Sequence, residues 1–422
     1  MLDFRPPKDS EVVISLLKAF TPIILKLGLG ESSIQIRDED IEKFKKLKGK
    51  KAMICPNHSN RRDPEVMFAV SREVQEEFNY IAAREVFDWK HGLNGWFLQR
   101  VGTYSVVRGA VDRDSFKTTR NILARGKKKL VLFPEGEISR QNDTVLALES
   151  GAAQLSFWAL SDILKKDPDD TLYIIPIALK YIFTSNISSA IRASLITLEK
   201  ELGIKPDNIS IMKRVRVICE TLLGVLEKEY RCEPPKEDSS GEEEEHGNMN
   251  ARVEALRKFV LHRVAEQLDI ELDENKRELE NVRVLRNAID DFIYDTNGDG
   301  SQYERKVHHK ESERIRGLYK DLDRVVNFIS IYDGYLSENM SQERCADIVG
   351  RLEKEILGQY ETYKGPRTVK VRVGDPIDLK DFKDDYDRNK KEAVQKVTET
   401  IFNRISSMLN EIENKRQATL VE

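Results

Sequence analysis

A chain of 422 residues, of which 40% are hydrophobic, is long enough for one large core with a further module attached. The 69 lysines and arginines are slightly outnumbered by 73 aspartates and glutamates, which argues against nucleic acid as a partner because phosphate backbones bind to basic surfaces. The four cysteines are widely spaced and form no CxxC pair, so a disulfide framework or a cysteine zinc site is not expected.

The N-terminal segment is apolar but interrupted. Residues 12–29 are mostly hydrophobic, yet they include Lys18, Lys26 and Pro22, whereas a spanning helix needs about 20 residues without central charges. Two amphipathic helices that meet at Pro22 fit better, with their lysines near lipid headgroups. We therefore assign residues 1–36 to helices that dock on a membrane. Helices that cover the protein's own core remain the alternative.

The N-terminus shows no signal-peptide pattern, since charged residues stand in its first positions and no small-residue cleavage site follows an apolar run. We therefore expect a cytoplasmic protein, bound peripherally to the inner face of a membrane.

Short apolar runs alternate with helical stretches between residues 51 and 180. The predicted strands are AMIC, NYIAA, YSVV, KLVLF and LYIIPIAL, and the predicted helices span residues 64–75, 115–124 and 151–159. Such apolar runs are typical of the buried strands of a parallel sheet. The alternation predicts an α/β fold with a mostly parallel central sheet flanked by helices.

A charged, all-helical insertion is predicted at residues 185–365, where apolar residues recur at helical spacing. Within it, residues 232–250 have the proline, glycine and acidic content of a disordered loop. Strand character returns at residues 368–373, and an amphipathic helix follows at residues 391–410. The simplest organisation is an α/β domain of residues 37–184 plus 366–414, interrupted by the insertion. Two consecutive domains are the competing organisation.

The insertion also contains DTNGDG at residues 295–300, which opens like a calcium-binding loop. The twelfth position of such a loop should be a bidentate glutamate, but here it is Lys306. We predict a polar turn at this place and no metal site in the chain. The insertion is a candidate binding surface for a protein partner.

The sequence pattern most indicative of a catalytic site is NHSNRRDP, residues 57–64, which directly follows a predicted strand. Pro64 suits the first position of a helix and Asp63 its N-cap, so the loop would fold His58 back against the Asp63 carboxylate. A carboxylate of this kind fixes the imidazole tautomer and stabilises the imidazolium. A general base of this design is worth about 10²–10⁴-fold in rate. Taken alone, the pattern also fits a loop histidine beside a helix cap.

The rest of the chain favours a catalytic role for His58 and Asp63, because it resembles the PlsC-like glycerolphosphate and lysophosphatidate acyltransferases. The resemblance consists of four blocks in the family's order, namely NHSNRRD (residues 57–63), GTYSVVR (residues 102–108), FPEG (residues 133–136) and IPI (residues 175–177). AREVFD (residues 83–88) and VRVGDPIDL (residues 371–379) resemble weaker flanking segments. The resemblance covers residues 1–184 and 366–412 and does not extend to the insertion.

This resemblance implies transfer of a fatty acyl group from acyl-CoA or acyl carrier protein to the hydroxyl of glycerol 3-phosphate, lysophosphatidate or a related lipid. It implies His58 as the general base, oriented by Asp63, with no bound cofactor and a membrane surface as partner. It also implies an acceptor and phosphate site formed by Arg108, Gly102, Glu135 and Gly136. A guanidinium suits phosphate because its planar fork can engage two oxygens.

One departure concerns the residues after FPEG. The family continues with Thr-Arg-Ser, whereas this chain has Glu137, Ile138, Ser139 and Arg140. Arg140 is therefore a further candidate contact to the acceptor. The departure also motivates a non-catalytic lipid-binding or scaffold protein as an alternative, and a thioesterase, in which water replaces the alcohol, is another.

Overall fold

The computed structural model describes residues 3–24, 30–107, 112–205, 207, 209–235, 245–294, 301–329, 340–358, 362–416 and 419–420. The strands are β1 (Glu31–Ile36), β2 (Ala52–Pro56), β3 (Phe78–Ala83), β4 (Thr103–Val106), β5 (Lys129–Val131), β6 (Tyr173–Phe183), β7 (Arg367–Val373) and β8 (Ile377–Asp378). The helices before the insertion are α1 (Glu11–Ile23), α2 (Asp38–Lys46), α3 (Asp63–Glu73), α4 (Leu93–Arg100), α5 (Arg113–Arg125) and α6 (Gly151–Leu164). Those of the insertion are α7 (Ser188–Glu201), α8 (Ile211–Tyr230), α9 (Glu245–Gln267), α10 (Glu278–Tyr294), α11 (Gln302–Ile329) and α12 (Gln342–Leu357). Helices α13 (Lys383–Arg388) and α14 (Lys390–Asn414) follow β8.

The strands form one mixed sheet in the order β1-β7-β6-β2-β5-β3-β4, with β8 beside β6. Strand β2 is parallel to both β5 and β6, β3 is parallel to β4 and β5, and β1 is parallel to β7. Strand β7 runs antiparallel to β6. The predicted fold class, a mostly parallel sheet flanked by helices, is confirmed.

Helices cover both faces of the sheet, which explains why the central strand β2 is apolar and buried at every position. In β2, Met53 and Cys55 pack in the cluster that contains α6 and α14. The alternate residues Ala52 and Ile54 pack in the cluster that contains α2 and α3. The sheet thus has a separate apolar core on each side.

The insertion has a core of its own. Helices α7–α12 contribute to a third apolar cluster, which includes Leu195, Leu222, Val264, Leu285 and Val349. The chain then returns through β7, which pairs with β1 on one side and β6 on the other. Residues before and after the helices α7–α12 therefore build the same sheet.

Two local features differ from the sequence expectation. Residues 31–36, assigned to N-terminal helices, instead form edge strand β1, because this segment pairs with β7. Helix α1 ends at Ile23, one residue after Pro22, and the second helix predicted after Pro22 falls on residues 25–29, which lie outside the described part of the chain. Residues 245–250, expected in a disordered loop, begin α9 and bury Met249. The loop residues 236–244 and the calcium-like residues 295–300 lie outside the described residues.

Candidate active site

The loop with His58 leaves the sheet at the carboxyl end of β2. In a parallel sheet the carboxyl ends of neighbouring strands share one edge, which is where ligand sites form in α/β proteins. Asn57 fixes the start of this loop, since its side chain donates to the Leu179 carbonyl at 3.1 Å and accepts from the Leu179 N–H at 2.7 Å. The two bonds anchor the loop to β6.

His58 and Asp63 are brought together, as the sequence pattern predicted. The distance between His58 Nδ1 and Asp63 Oδ2 is 2.9 Å. An ionised carboxylate can only accept, so Nδ1 carries the proton and Nε2 keeps a lone pair. The imidazole stacks on Phe133 at a centroid distance of 4.2 Å and is 15% exposed. It is thus oriented from two sides and still accessible.

Asp63 is fully buried and is held by more than the imidazole. Its Oδ2 atom also accepts from the Asn60 N–H at 2.8 Å, and its Oδ1 atom accepts from the Tyr181 hydroxyl at 2.6 Å. The sequence placed Asp63 at the N-cap, but it is the first residue of α3 and Arg62 is the cap. Its side chain turns back to the loop because the donors there need an acceptor in the buried interior.

Glu135 stabilises the same loop from the neighbouring strand. Its two carboxylate oxygens accept from the His58 N–H at 2.5 Å and from the Leu146 N–H at 2.9 Å. Burial raises the pKa of Glu135 to about 7, although the two N–H donors act in the opposite direction. Because both oxygens are engaged by backbone, Glu135 positions the loop and is not open to an acceptor as the resemblance implied.

Gly136 adopts a left-handed backbone with φ of +70° and lies directly beneath the insertion. A Cβ atom there would stand 2.4 Å from the guanidinium of Arg283 on α10. Arg283 also donates to the Glu135 carbonyl at 3.3 Å and pairs with Glu149 at 2.6 Å. Glycine is needed here both for the turn and for this close approach.

The residues that depart from the family pattern also contact the insertion. Glu137 pairs with Arg286 of α10 at 2.7 Å. Ser139 donates its N–H to the His58 carbonyl at 2.8 Å. Arg140 has a φ of +52°, and its carbonyl accepts from Arg351 of α12 at 2.7 Å.

Of the remaining predicted site residues, Gly102 makes no contact with His58 in the part of the chain that the structure describes. Gly102, with a φ of +84°, forms the turn before β4 and accepts from the Asn79 side chain at 2.9 Å. Gly102 therefore serves to form this turn. Arg108 lies outside the described residues; Val107, just before it, follows the carboxyl end of β4.

Two groups of site residues were missed by sequence reasoning. Tyr181 lies two residues beyond the predicted strand LYIIPIAL, with no polar motif around it, and only the pairing of β6 with β2 brings it to Asp63. Arg283, Arg286 and Arg351 were three among many charges in the insertion. The one available signal was the acidic Glu137 in the block after FPEG, which requires a cation nearby.

In the described part of the chain, no group of three or more histidine, cysteine or carboxylate side chains is arranged to hold a metal ion. Nor does any helix in the described ranges combine the length and apolar character that crossing a bilayer requires.

Residues 35–180 match the family model described as Acyltransferase. The matched region runs from β1 to β6 and contains the His58 loop, Glu135 and the block after it. A comparison with curated protein sequences found no match.

Proposed function

Because residues 35–180 form a domain of the acyltransferase family, we propose that the protein moves a fatty acyl group from acyl-CoA or acyl carrier protein to the hydroxyl of glycerol 3-phosphate, lysophosphatidate or a related lipid. The observation that carries this proposal is the 2.9 Å contact between His58 and the buried Asp63. It supplies a base with a fixed tautomer at the edge of the sheet where substrates bind.

In the proposed reaction, His58 Nε2 takes the proton of the acceptor hydroxyl while the hydroxyl oxygen attacks the thioester carbonyl carbon. The carbon–sulfur bond then breaks, the new ester remains on the acceptor, and the thiolate leaves with the proton from the imidazolium. Asp63 stabilises the positive charge on His58 between these two events. A general base of this kind contributes about 10²–10⁴-fold to the rate.

We further propose that the protein docks on a membrane through an apolar surface formed by α1 and α4. Val12, Leu16, Phe20 and Ile23 form one exposed stripe on α1 at helical spacing. On α4 and just before it, Trp89, Leu93, Trp96 and Phe97 are also exposed. The two helices are neighbours, since the Ser10 N–H donates to the Arg100 carbonyl at 2.9 Å.

The composition of this surface suits a lipid interface. Tryptophan is enriched at the headgroup level of bilayers, and an amphipathic helix lies in that plane with its apolar face down. Arg61 stacks over Trp89 with 4.8 Å between the guanidinium carbon and the ring centroid. Because Arg61 belongs to the loop between His58 and Asp63, docking here would bring the base close to acceptors in the membrane.

The test is a transfer screen with purified protein, a radiolabelled acyl-CoA or acyl carrier protein, and glycerol 3-phosphate, lysophosphatidate or monoacylglycerol as acceptors. We expect labelled product with at least one of these acceptors. Thioester hydrolysis at the same rate with and without acceptor would instead support the thioesterase. The absence of thioester cleavage with every pair would support the lipid-binding or scaffold protein.

A further inference from the structure

We propose that the helical insertion and the block after FPEG together form a phosphate-binding cleft for the head group of the acyl acceptor. This inference rests on the proposed acyl transfer. It assigns to the insertion a part in substrate recognition, in addition to any partner that it binds.

The cleft lies between the domain and the insertion and has a volume of about 100 Å³. One wall is the segment from Glu137 to Arg140, which directly follows Gly136. The opposite wall consists of side chains from α10, α11 and α12, namely Arg286, Asp323, Val326, Asn327, Arg351 and Lys354. The cleft is therefore formed by residues of both the sheet domain and the insertion.

Cationic side chains outnumber carboxylates in this cleft. Arg286 uses its guanidinium to bridge Glu137 at 2.7 Å and Asp323 at 2.8 Å. Lys354 is 3.8 Å from Asp323, too far for a strong hydrogen bond. Arg140 is half-buried, and it makes no ion pair with any other residue that the structure describes. Of the side chains that line the cleft, four are therefore cationic and two are carboxylates.

Burial is the main cause that lowers the pKa of Lys354. Repulsion from Arg140 and Arg286 lowers this pKa further, while Asp323 and Glu355 act in the opposite direction. An anion in the cleft would relieve this repulsion. Phosphate suits it in particular, because its oxygens accept several charge-assisted hydrogen bonds from arginine and lysine at once.

The cleft is directly connected to the catalytic loop. Ser139, which lines the cleft, donates its N–H to the His58 carbonyl at 2.8 Å. Arg351 holds the adjacent backbone through the carbonyls of Ser139 at 3.1 Å and Arg140 at 2.7 Å. A phosphate bound here would lie near the base.

Because the cleft lies beside the His58 loop, its phosphate is better assigned to the acyl acceptor than to the acyl donor. Only a few bonds separate the phosphate of glycerol 3-phosphate or lysophosphatidate from the reacting hydroxyl. The phosphates of coenzyme A are separated from the thioester by the whole pantetheine arm. A phosphate bound beside the loop that carries His58 therefore suits the acceptor better than the donor.

The test uses Lys354→Gln and Arg140→Gln, with Lys258→Gln as the matched control. Lys258 is an exposed lysine of α9 that pairs only with Glu254 in the described structure. For each cleft variant we expect the kcat/KM for lysophosphatidate, relative to that for monoacylglycerol, to fall about tenfold or more through a higher KM, since a charged hydrogen bond is lost. The control should keep the wild-type ratio, and thermal unfolding of every variant verifies its fold.

Two further experiments determine whether the bound phosphate belongs to the acyl acceptor or to the acyl donor. Glycerol 3-phosphate and inorganic phosphate are titrated as inhibitors of lysophosphatidate acylation, and we expect the cleft variants to weaken inhibition by both. The KM for acyl-CoA is compared with that for an acyl-N-acetylcysteamine donor, which has no phosphate. A higher KM for acyl-CoA alone in the cleft variants would assign the cleft to the donor and overturn the proposal.

A binding measurement distinguishes a wrong assignment of the cleft from a wrong proposal of acyl transfer. If the wild-type protein acylates no acceptor, glycerol 3-phosphate binding is measured by calorimetry on the same variants. Binding that is lost in Lys354→Gln and kept in Lys258→Gln supports the cleft even then. Unchanged binding together with an unchanged acceptor ratio would overturn it.

Discussion

The imidazole of His58 depends on neighbours that come from three different strands. Asp63 follows β2, Glu135 follows β5 and Tyr181 lies within β6. Each contributes one function: Asp63 fixes the tautomer, Glu135 holds the His58 backbone, and Tyr181 holds Asp63. The base is therefore positioned by the centre of the sheet.

We predict that Tyr181→Phe impairs catalysis through Asp63. Loss of a hydrogen bond to a buried carboxylate should lower the free energy of unfolding by about 1.5–3 kcal/mol. Tyr181 also holds the Asp63 carboxylate in line with the imidazole. If about 1.4 kcal/mol of transition-state stabilisation is lost with this positioning, kcat falls about tenfold.

The matched control is Tyr303→Phe, since Tyr303 is 76% exposed on α11. Steady-state kinetics from pH 5 to 9 and denaturant unfolding provide the measurements. A Tyr181 variant whose stability falls while kcat stays as in the wild type would show that Tyr181 is only structural.

Glu135 gives a prediction about stability and pH. Its pKa in the folded protein, about 7, lies above its ordinary value of 4.5. Folding therefore favours the protonated carboxyl, and this contribution to stability is present below pH 4.5 and lost as the pH rises toward 7. By linkage, the loss amounts to about 3 kcal/mol.

Glutamine does not titrate, so Glu135→Gln should remove this dependence. We expect the difference in unfolding free energy between wild type and variant to shrink as the pH rises from 4.5 to 7. Denaturant unfolding at several pH values measures it, with the exposed Glu201→Gln as the control. A difference that is constant over this range would contradict the raised pKa.

The sequence was sufficient to predict the pair His58 and Asp63, because both lie in one short motif at a strand–helix junction. The sequence did not indicate that Tyr181 contacts Asp63 or that Glu135 is buried. Their roles arise from pairing between strands that are distant in the chain, and a single sequence carries no record of that register.

At the scale of elements, α1 is the exposed amphipathic helix that the sequence predicted, and its apolar stripe gives a test of membrane docking. We predict that Leu16→Ser with Phe20→Ser weakens binding to anionic phospholipid vesicles at least tenfold. Full burial of one such side chain is worth about 1.5–3 kcal/mol, so partial burial of two is sufficient. Vesicle sedimentation measures the effect.

The control is Val217→Ser with Val225→Ser, since both valines are exposed on α8 of the insertion. This pair removes apolar surface of similar exposure from another face. Equal vesicle binding by both double variants and the wild type would show that α1 is not the docking surface.

Strand β1 shows where element prediction failed. Its sequence, ESSIQI, has only two apolar residues and follows an apolar helical segment. Its pairing partner β7 lies after the whole insertion, so nothing local indicated an edge strand. By contrast, β2, β3 and β6 were predicted closely because their apolar runs reflect burial on both faces.

At the scale of the whole molecule, ion pairs and hydrogen bonds join the insertion to the sheet domain. Arg283 pairs with Glu149, and Arg286 pairs with Glu137. Such pairs could not be predicted, since 34% of the residues are charged and each arginine had many candidate partners. The strand at β7 was predictable because strand character returned after a long helical stretch.

The most direct test of the account is transfer of a radiolabelled acyl group by His58→Ala, beside His309→Ala as control. His309 is 78% exposed on α11. With acyl-CoA and the best acceptor of the wild-type protein, we predict that the His58 variant remains folded, as thermal unfolding verifies, and loses about 10²–10⁴-fold in kcat. The His309 variant should match the wild type. Near-wild-type turnover by a folded His58→Ala protein would contradict the central claim that His58 is the base.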